Sequence, residues 1–399
     1  MEPMVDARVT FRRLTPAGEH WFFGYYDNQA FAPDDRRHLA HRVGFCDRLP
    51  GPSDEAELAV IDLDDTGAAA GAPRVFARTR AWNFQQGAML QWVGERPQTV
   101  FYNTATAAGE YRGVVRDLRR RQGRELPMAL ADLSVDGRRG LAVNFDRVFA
   151  FRPGYGYCQK PDPWASQRHP AEDGVWWVDV ERARARQVLS LERLWEAMAH
   201  AFPGQDRKIC VNHLTLNPAG DRWVLLARTF PEGEARHWAT TVFVADREGR
   251  LLTTVVDAAM ASHYWWSDDR TLVFFMVGKD GNQLYQVDVV TGAQTVIDAA
   301  FFPFDGHCST SPDGQWMLYD SYPRQGYRYL YLYHLGQRRG VTLGGLRDMP
   351  VTVIDVRCDL HPRWNRAGIG ISFDGTFEGF RGIYSVDLRP LMRDAFGVS

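Results

Sequence analysis

The sequence lacks several features that would place it in a common functional class. Its five cysteines are odd in number and scattered, which is not the pattern of a disulfide framework. No apolar run approaches the roughly 18 residues that a membrane-spanning helix needs. The net charge is −2 and we identify no basic run, so we expect no patch that neutralises phosphates. We therefore expect neither a membrane nor a nucleic acid as a partner, and the sequence indicates no oligomeric state.

Familiar catalytic and targeting motifs are also missing. The sequence has no glycine-rich phosphate loop, no GxSxG nucleophile elbow and no HExxH helix. These absences argue against a nucleotide-binding enzyme, an α/β hydrolase and a metalloprotease of the HExxH type. The first residues, MEPMVDARVTFRR, contain no apolar stretch of the kind found in signal peptides. The expected compartment is the cytoplasm.

What the sequence does contain is a turn that recurs between short apolar runs. One run follows each turn directly, as in GLAVNF, and a later run ends in a VDL-like tail, as in GIYSVDL. Short β-rich runs joined by Asp, Gly and Pro turns indicate antiparallel strands rather than helices. Seven such turns, separated by about 40 to 85 residues, occur at Pro33, Val93, Val135, Pro218, Asp268, Pro312 and Arg366.

Radial repetition of such sheets predicts an all-β fold, a seven-bladed β-propeller of four-stranded antiparallel blades. The chain supplies about 57 residues per blade, which leaves room for long loops. We expect the early strand RVTFRRL to pair with the C-terminal GIYSVDL and so close the ring. Residues 1–399 are predicted to form one domain, with a loop and helix insertion at about 153–208. The only substantial helix is expected near Leu191–Ala199.

Four histidines, His213, His263, His307 and His361, occupy the same place in this repeat. Each one opens the first strand of a predicted blade, about five residues before the turn. A single histidine at a strand start is usually a hydrogen-bonded structural residue, but four in register indicate a metal or catalytic site. Imidazole suits zinc, copper, nickel or manganese, and zinc sites often add a thiolate. Cys358 is a candidate thiolate ligand, with a buried apolar role as the alternative.

Polar residues end the second strand of several blades, where the chain returns to the histidine side. They are Asn103, Asn144, Arg228, Asp320 and Asp374. Polar side chains gathered on one face predict a concave binding site. The loops GYYD, AWNFQQG and RPGYGY add aromatic and amide groups that suit sugar rings, although aromatic rings also pack between blades. We assign substrate contacts to Tyr26, Trp82, Gln86, Asn144, Asn212 and Asp320.

The segments RAWNFQQGAMLQW, RPGYGY, NHLTLNPAG, DGHCSTSPDGQWMLYDSYP and RCDLHPRW resemble the seven-bladed propeller polysaccharide lyases. The chain is most similar to the ulvan lyase group and more distantly similar to oligogalacturonate lyase. The matching segments extend over nearly the whole chain, from about residue 24 to residue 387. The resemblance implies cleavage of uronate-containing glycans by β-elimination, with a histidine and a tyrosine exchanging protons, an arginine at the carboxylate and a bound divalent metal.

The resemblance also assigns residues. Arg228 matches the arginine that faces the carboxylate, and His213 is the base candidate in the same hairpin. Asn212 stands where an aromatic acid–base residue is expected. His169 and either Tyr155 or Tyr157 in the long loop, with Arg147 from blade 3, are therefore candidates to complete the set. The metal ligands that the resemblance implies are His263, His307, Cys358 and His361, with zinc as the first choice and manganese or calcium as alternatives.

The predicted function is therefore a lyase that acts on a uronate-containing oligosaccharide or polysaccharide. Removal of the C5 proton of a uronate requires a neutralised carboxylate and a base near the operating pH. Two alternatives stay open at this point. One is a catalytically silent propeller that binds a glycan or a protein. The other is a glycoside hydrolase, for which Asp320 and Asp374 would form the carboxylate pair.

Overall fold

The structure, a computed structural model, describes residues 4–230 and 238–398 and consists of seven antiparallel sheets. This arrangement confirms the predicted seven-bladed β-propeller. Contacts divide the chain into two compact units. The first comprises Met1–Tyr102, Arg116–Gln122 and Phe304–Ser399, and the second comprises Asn103–Val115 and Gly123–Pro303. That the chain forms one domain stays a prediction.

The strands follow one another through the blades in chain order. Two short strands come first, β1 (Met4–Val5) and β2 (Arg12–Arg13). Blade 1 consists of β3 (His20–Phe22), β4 (Arg37–Val43), β5 (Ala56–Asp62) and β6 (Arg74–Thr79). Blade 2 consists of β7 (Gln91–Trp92), β8 (Thr99–Ala105), β9 (Tyr111–Asp117) and β10 (Gln122–Glu125). Blade 3 consists of β11 (Asp132–Leu133), β12 (Arg139–Val143), β13 (Gly174–Asp179) and β14 (Arg184–Ser190).

The remaining blades repeat the same four-stranded order. Blade 4 consists of β15 (Lys208–Leu216), β16 (Arg222–Phe230), β17 (Ala239–Asp246) and β18 (Leu251–Ala259). Blade 5 consists of β19 (Ala261–Trp266), β20 (Thr271–Gly278), β21 (Gly281–Asp288) and β22 (Gln294–Val296). Blade 6 consists of β23 (Cys308–Thr310), β24 (Trp316–Asp320), β25 (Arg328–His334) and β26 (Arg339–Leu346). Blade 7 contains β27 (Arg363–Trp364), β28 (Gly370–Gly375) and β29 (Gly382–Asp387).

The N-terminal strands complete the two blades that come last in the chain. Strand β2 pairs with β29, with Arg12 opposite Ser385, and supplies the fourth strand of blade 7. This pairing confirms the predicted closure by N- and C-terminal strands. Strand β1 pairs with β26, so the sheet of blade 6 has five strands instead of the predicted four.

Alternation along the strands supplies the apolar core between blades. In β20, Leu272, Phe274 and Met276 enter a cluster with residues of blade 4 in the second unit. In the first unit, Leu318 of β24 and Phe373 of β28 belong to one cluster. Every second side chain of a strand lies on the same face of its sheet, which gives the spacing of these residues.

The described chain contains three α-helices, two of which the sequence analysis missed. Helix α2 (Leu191–Met198) lies where a helix was predicted. Helices α1 (Phe145–Phe151) and α3 (Arg389–Phe396) contradict the expectation of a single helix. The predicted insertion is also interrupted, because its middle forms β13 and β14. Short 3-10 helices occupy Ala199–Ala201 and Ile354–Val356. No helix in the described ranges is long and apolar enough to cross a membrane.

Candidate functional site

Three buried side chains of the first unit bring potential metal ligands together. One ligand atom each from His307, Asp359 and His361 lies within 4.8 Å of the others. His307 directly precedes β23, and the other two residues lie just before β27. The imidazole rings of the two histidines meet edge to face, with centroids 4.3 Å apart. We call these residues the His–Asp–His group.

Asp320 fixes the ring of His307. The Nδ1 atom of His307 lies 2.9 Å from both carboxylate oxygens of Asp320, and the His307 backbone N–H donates to Oδ1. Burial lowers the pKa of His307, but the nearby Asp320 carboxylate outweighs burial and raises it. Since Nδ1 faces Asp320, Nε2 is the nitrogen that can ligate a metal. A carboxylate behind a ligating histidine is the usual support in metal sites.

A backbone carbonyl fixes His361 in the same way. Its Nδ1 donates to the carbonyl oxygen of Gly24 at 2.9 Å, so the ring presents the Nε2 lone pair. This Nε2 is buried and has no hydrogen-bond partner in the described chain. Burial, helped by the charge of His307, holds the pKa of His361 well below its usual value. Gly24 itself has a φ of 124° and donates its N–H to Asp374, which orients the carbonyl.

Two arginines keep Asp359 ionised. Its Oδ1 accepts from Arg328 at 2.6 Å, and its Oδ2 lies 2.8 Å from Arg357. Burial disfavours the charged carboxylate, but the two guanidinium groups outweigh it and hold the pKa of Asp359 well below its usual value. Side-chain bonds from Gln85 and Arg381 to the carbonyl of Arg357 support the loop that precedes Asp359.

The GYYD segment lies against the His–Asp–His group. The Tyr25 ring lies 4.8 Å from the His361 ring, and the Tyr26 ring lies 5.1 Å from the His307 ring, both between centroids. The Oδ1 atom of Asp27 is buried without a hydrogen-bond partner in the described ranges. Burial, opposed by the charge of His307, raises the pKa of Asp27 to about 7. Tyr26 is therefore beside the site, as expected of a substrate contact, and Asp27 is an acid–base candidate that the sequence analysis missed.

The donor set differs from the predicted one. Cys358 is not part of the group, because its Sγ contacts the carbonyl of Asp359 instead. Burial raises the pKa of the Cys358 thiol to about 12, which disfavours the thiolate that a metal would need. His263 belongs to the second unit, where its Nδ1 lies 3.0 Å from the Ser262 hydroxyl. Two imidazoles and one carboxylate, each held by a partner behind it, fit a divalent metal ion.

In the second unit, a chain of ring contacts links His213 with Arg228. The His213 ring meets Tyr155 at 4.9 Å, and Arg152 lies 4.7 Å from the Tyr155 centroid. Arg152 and Arg228 both lie over the indole of Trp238, at 4.9 and 5.3 Å. The two predicted catalytic residues therefore belong to one cluster, as their common hairpin suggested. We call these five residues the His213–Arg228 cluster.

The repeat bends the backbone at its histidines. His213 has a φ of 54° and sits where the pairing of β15 with β16 shifts register between Asn212 and Leu214. A second shift, between Ala261 and Tyr264, surrounds His263, and His361 has a φ of 43°. Bulges and positive φ values re-aim side chains and recur at functional sites.

Three predicted catalytic residues make contacts that stabilise the fold. The Tyr157 hydroxyl bonds with Asn103, and the Tyr157 ring stacks on Phe145 in the core. His169 pairs with the exposed carboxylate of Asp206 at 2.7 Å. Arg147 is buried in a salt bridge with Asp162 and donates to the carbonyls of Ile209, Trp164, Gln167 and Arg168. These contacts hold the long loop, and a catalytic role for the three side chains stays a prediction. The phenol beside His213 is Tyr155.

Three predicted substrate contacts also make contacts that stabilise the fold, and a substrate role for them stays a prediction. Trp82 is 1% exposed, packs among phenylalanine rings and donates to the carbonyl of Asp54. Asn144 caps α1 and donates to Asp162 and Asp173. Asp320 supports His307. Because Asp374 pairs with Arg363 and accepts from the backbone of Phe23 and Gly24, the carboxylate pair expected of a glycoside hydrolase is not supported.

Two other predicted substrate contacts, Asn212 and Gln86, have side chains that remain available to a ligand. Asn212 is 3% exposed, and neither its Oδ1 nor its Nδ2 has a hydrogen-bond partner in the part of the chain described here. Gln86 is half-buried in a turn that Asn83 holds through the Gln86 backbone N–H. A substrate-binding role for either residue stays a prediction.

The structure adds three residues that the sequence does not single out: Asp27, Arg152 and Asp359. All three lie within segments quoted from the sequence, namely GYYD, RPGYGY and RCDLHPRW. Of the two phenols left open, Tyr155 or Tyr157, the one beside His213 is Tyr155. The spacing of Asp359 and His361, two residues apart, was the available signal for a shared face. The selection of Cys358 rested on ligand type alone.

Comparison with known proteins supports the fold. The chain is similar to a structure described as oligogalacturonate lyase in complex with manganese, with a TM-score of 0.67, 14% identity and coverage of 97% of this chain and 95% of that one. An oligogalacturonate lyase from Vibrio parahaemolyticus gives 0.65 at 13% identity, covering 97% and 96%. The propeller domain of the Trilobed protease from Pyrococcus furiosus gives 0.53 at 10%, covering 92% and 95%.

Comparisons with protein families and with curated proteins find no match for the sequence. At these identities the structural similarity establishes the fold alone. The chain has the seven-bladed propeller fold that the oligogalacturonate lyases also have. The specific similarity to ulvan lyases stays a prediction.

Proposed function

We propose that this protein is a metal-dependent lyase that cleaves a uronate-containing oligosaccharide or polysaccharide by β-elimination. The observation that carries the proposal is the His–Asp–His group. The partners of this group fix the ring orientation of the two histidines and the charge of the aspartate. Burying such ligand atoms together costs free energy unless a cation binds among them. The likeness to oligogalacturonate lyases supports the glycan as substrate.

His307, Asp359 and His361 would hold the ion. A bound divalent cation would supply fixed positive charge to the first unit, which favours an acidic glycan over a neutral one. The set contains no thiolate, so its chemistry does not favour zinc over other ions. Manganese in a structural neighbour supports manganese as the first ion to test. Asp320 and the Gly24 carbonyl would keep both imidazoles oriented toward the ion.

The His213–Arg228 cluster would supply the proton chemistry. Arg228 would grip the uronate carboxylate through its planar fork and make the C5 proton more acidic. His213 would accept that proton, and Tyr155 beside it would donate one to the departing glycosidic oxygen. The electrons of the broken C5–H bond form the new double bond as the glycosidic C–O bond breaks.

The reaction is tested by screening uronate glycans and oligosaccharides for the ultraviolet absorbance of the unsaturated uronate product. We expect the absorbance to rise when oligogalacturonate or a related glycan is added. The rise should stop when the metal is chelated and should resume when manganese is added. Binding of the same glycans without any product would instead identify a catalytically silent propeller and contradict the proposal.

The site assignment is tested by Arg228→Lys, which keeps the charge but loses the bidentate fork. Turnover on the best substrate should fall about a hundredfold or more, the usual cost of losing a donor aimed at developing negative charge. Arg222→Lys, at the other end of β16, is the matched control and should leave turnover unchanged. Unaltered turnover in Arg228→Lys would show that Arg228 is structural.

A further inference from the structure

An arginine-rich groove lies in the first unit, along strands of blades 1 and 2. It has a volume of about 580 Å³. Five arginines line it together with the half-buried ring of Phe76, namely Arg37, Arg74, Arg116, Arg119 and Arg121. None of its lining residues in the described chain is acidic. None of them belongs to the His–Asp–His group, so the groove is a separate feature.

Most of the positive charge in this groove is not neutralised by the protein. Arg37 pairs with Asp34 and Arg74 pairs with Asp62, both outside the lining. Arg116, Arg119 and Arg121 form no ion pair within the described ranges. The Nε atom of Arg116 is buried and has no hydrogen-bond partner there, while its guanidinium lies 5.9 Å from the Phe76 centroid. Three adjacent cations without counter-charges favour an anionic ligand.

The net charge of −2 gives no sign of this groove, and the expectation that the chain has no basic run is wrong. Its three unpaired arginines come from the run RDLRRRQGR, which begins at Arg116 and contains the turn between β9 and β10. Not every arginine of the run takes part. Arg120 lies outside the lining and faces Asp117, 3.9 Å away. Neighbouring arginines of one run therefore differ in their position: three line the groove, and Arg120 lies outside it.

We propose that this groove is a second, non-catalytic site that binds a carboxylate-bearing glycan chain. Arginine forks match carboxylates bidentately, and every cation of the groove is an arginine. Phe76 and the exposed Val75 offer an apolar surface on which a sugar ring can rest. The proposal extends the proposed function, because it gives the same acidic substrate a second point of attachment.

Charge distribution favours a glycan over a nucleic acid. Nucleic-acid binding requires a basic surface that follows many phosphates. Here the flanking Asp34 and Asp62 already pair with Arg37 and Arg74, so the basic area ends at the groove. A volume of about 580 Å³ suits a few sugar units rather than a duplex. Binding a long chain here would raise its local concentration at the protein and lower its KM.

The test compares Arg119→Ser/Arg121→Ser with Arg120→Ser/Arg193→Ser, a control that removes the same charge. Arg193 is exposed on α2, outside the groove. Binding of labelled oligogalacturonate is measured by fluorescence anisotropy in chelator, with neutral dextran oligosaccharide, inorganic phosphate and duplex DNA as comparison probes. We expect affinity for oligogalacturonate to fall about tenfold or more in the groove variant and to change little in the control.

On long chains, the groove variant should show a raised KM and an unchanged kcat, and the shortest cleavable substrate should be unaffected. Equal loss in the two double variants would overturn the site, since only net charge would then matter. Tighter binding of DNA or of phosphate than of oligogalacturonate would overturn the glycan assignment. Binding that depends on the groove in a protein that cleaves no uronate glycan would leave this site standing and contradict the proposed lyase.

Discussion

At the residue scale, the sequence could identify two of the three members of the His–Asp–His group. His307 and His361 share a repeat position, and that register was visible without a structure. Asp359 was missed because a cysteine was preferred as a ligand type, although Asp359 is the residue two positions before His361. The second unit's His213 and His263 share the repeat position without joining the group. A sequence repeat predicts equivalent backbone positions for its histidines. Whether their side chains ligate one metal ion depends on which of them come close together in the fold.

The choice between Asp359 and Cys358 gives a direct prediction. Asp359→Asn should abolish stoichiometric metal binding, because it removes the ligand charge and leaves Arg328 and Arg357 without their carboxylate. Cys358→Ser is the matched neighbour and should retain the metal. Elemental analysis of both purified variants, loaded with manganese, distinguishes them. Metal lost in Cys358→Ser and kept in Asp359→Asn would restore the originally predicted ligand set.

Substitution of Asp320 tests the same metal site and should weaken metal binding without abolishing it. Asp320→Asn keeps the size of the side chain but replaces the carboxylate behind His307 Nδ1. Metal affinity should fall about 10- to 100-fold, the usual effect of losing a partner behind a ligand. Isothermal titration with manganese measures the change. If Asp320 instead contacted the substrate directly, Asp320→Asn would leave the metal affinity unchanged and would raise the KM.

At the element scale, strands were predictable and short helices were not. The turn and VDL-like tails marked the second and third strands because alternation and turn residues are local signals. Helix α1 is seven residues long and follows a strand directly. Its N-cap, Asn144, directly follows β12, which is the position that predicts a substrate contact from the sequence. A helix of this length depends on tertiary packing, so its sequence carries a weak signal.

Packing of the RPGYGY loop on α1 gives an element-scale prediction. A Cβ at Gly156 would lie 2.0 Å from the Phe149 backbone nitrogen and 2.6 Å from the Phe145 carbonyl oxygen. Gly156→Ala should therefore push the loop off α1 and lower the free energy of unfolding by about 1–3 kcal/mol. Gly44→Ala, where a Cβ has no neighbour within 4 Å, is the control. Denaturant unfolding measures both, and equal stability would show that the loop adjusts freely.

At the scale of the whole molecule, the blade count and the strand closure followed from the repeats. The pairing of β1 and β2 with the last two blades was only partly predictable from the sequence, because a two-residue strand such as β1 has no hydrophobic periodicity. The buried ion pairs around Asp359 and the arginine groove were only partly visible. Arg357 is two residues from Asp359 and three groove arginines share one run, but Arg328 joins Asp359, and Arg37 and Arg74 join the groove, only in the fold.

Closure also buries two histidines of blade 1 in neutral form. The Nε2 of His38 lies 2.8 Å from the Ser372 hydroxyl of blade 7, and the Nε2 of His41 accepts the N–H of Ala88. Burial lowers the pKa of each from 6.5 to about 3. Between these values the unfolded chain binds more protons than the folded one. Their contribution to stability is therefore complete above pH 6.5 and is lost as the pH falls toward 3.

The free energy of unfolding should accordingly decline below pH 6.5, with each histidine adding up to about 1.4 kcal/mol per pH unit to the slope. His41→Gln should remove one of these contributions and make the decline shallower, even if it lowers stability at neutral pH. His200→Gln is the control, because His200 is exposed and Asp257 raises its pKa. Urea unfolding at a series of pH values measures the slopes. A slope in His41→Gln as steep as in the unmodified protein would show that His41 is protonated in the folded state, and that burial does not keep it neutral.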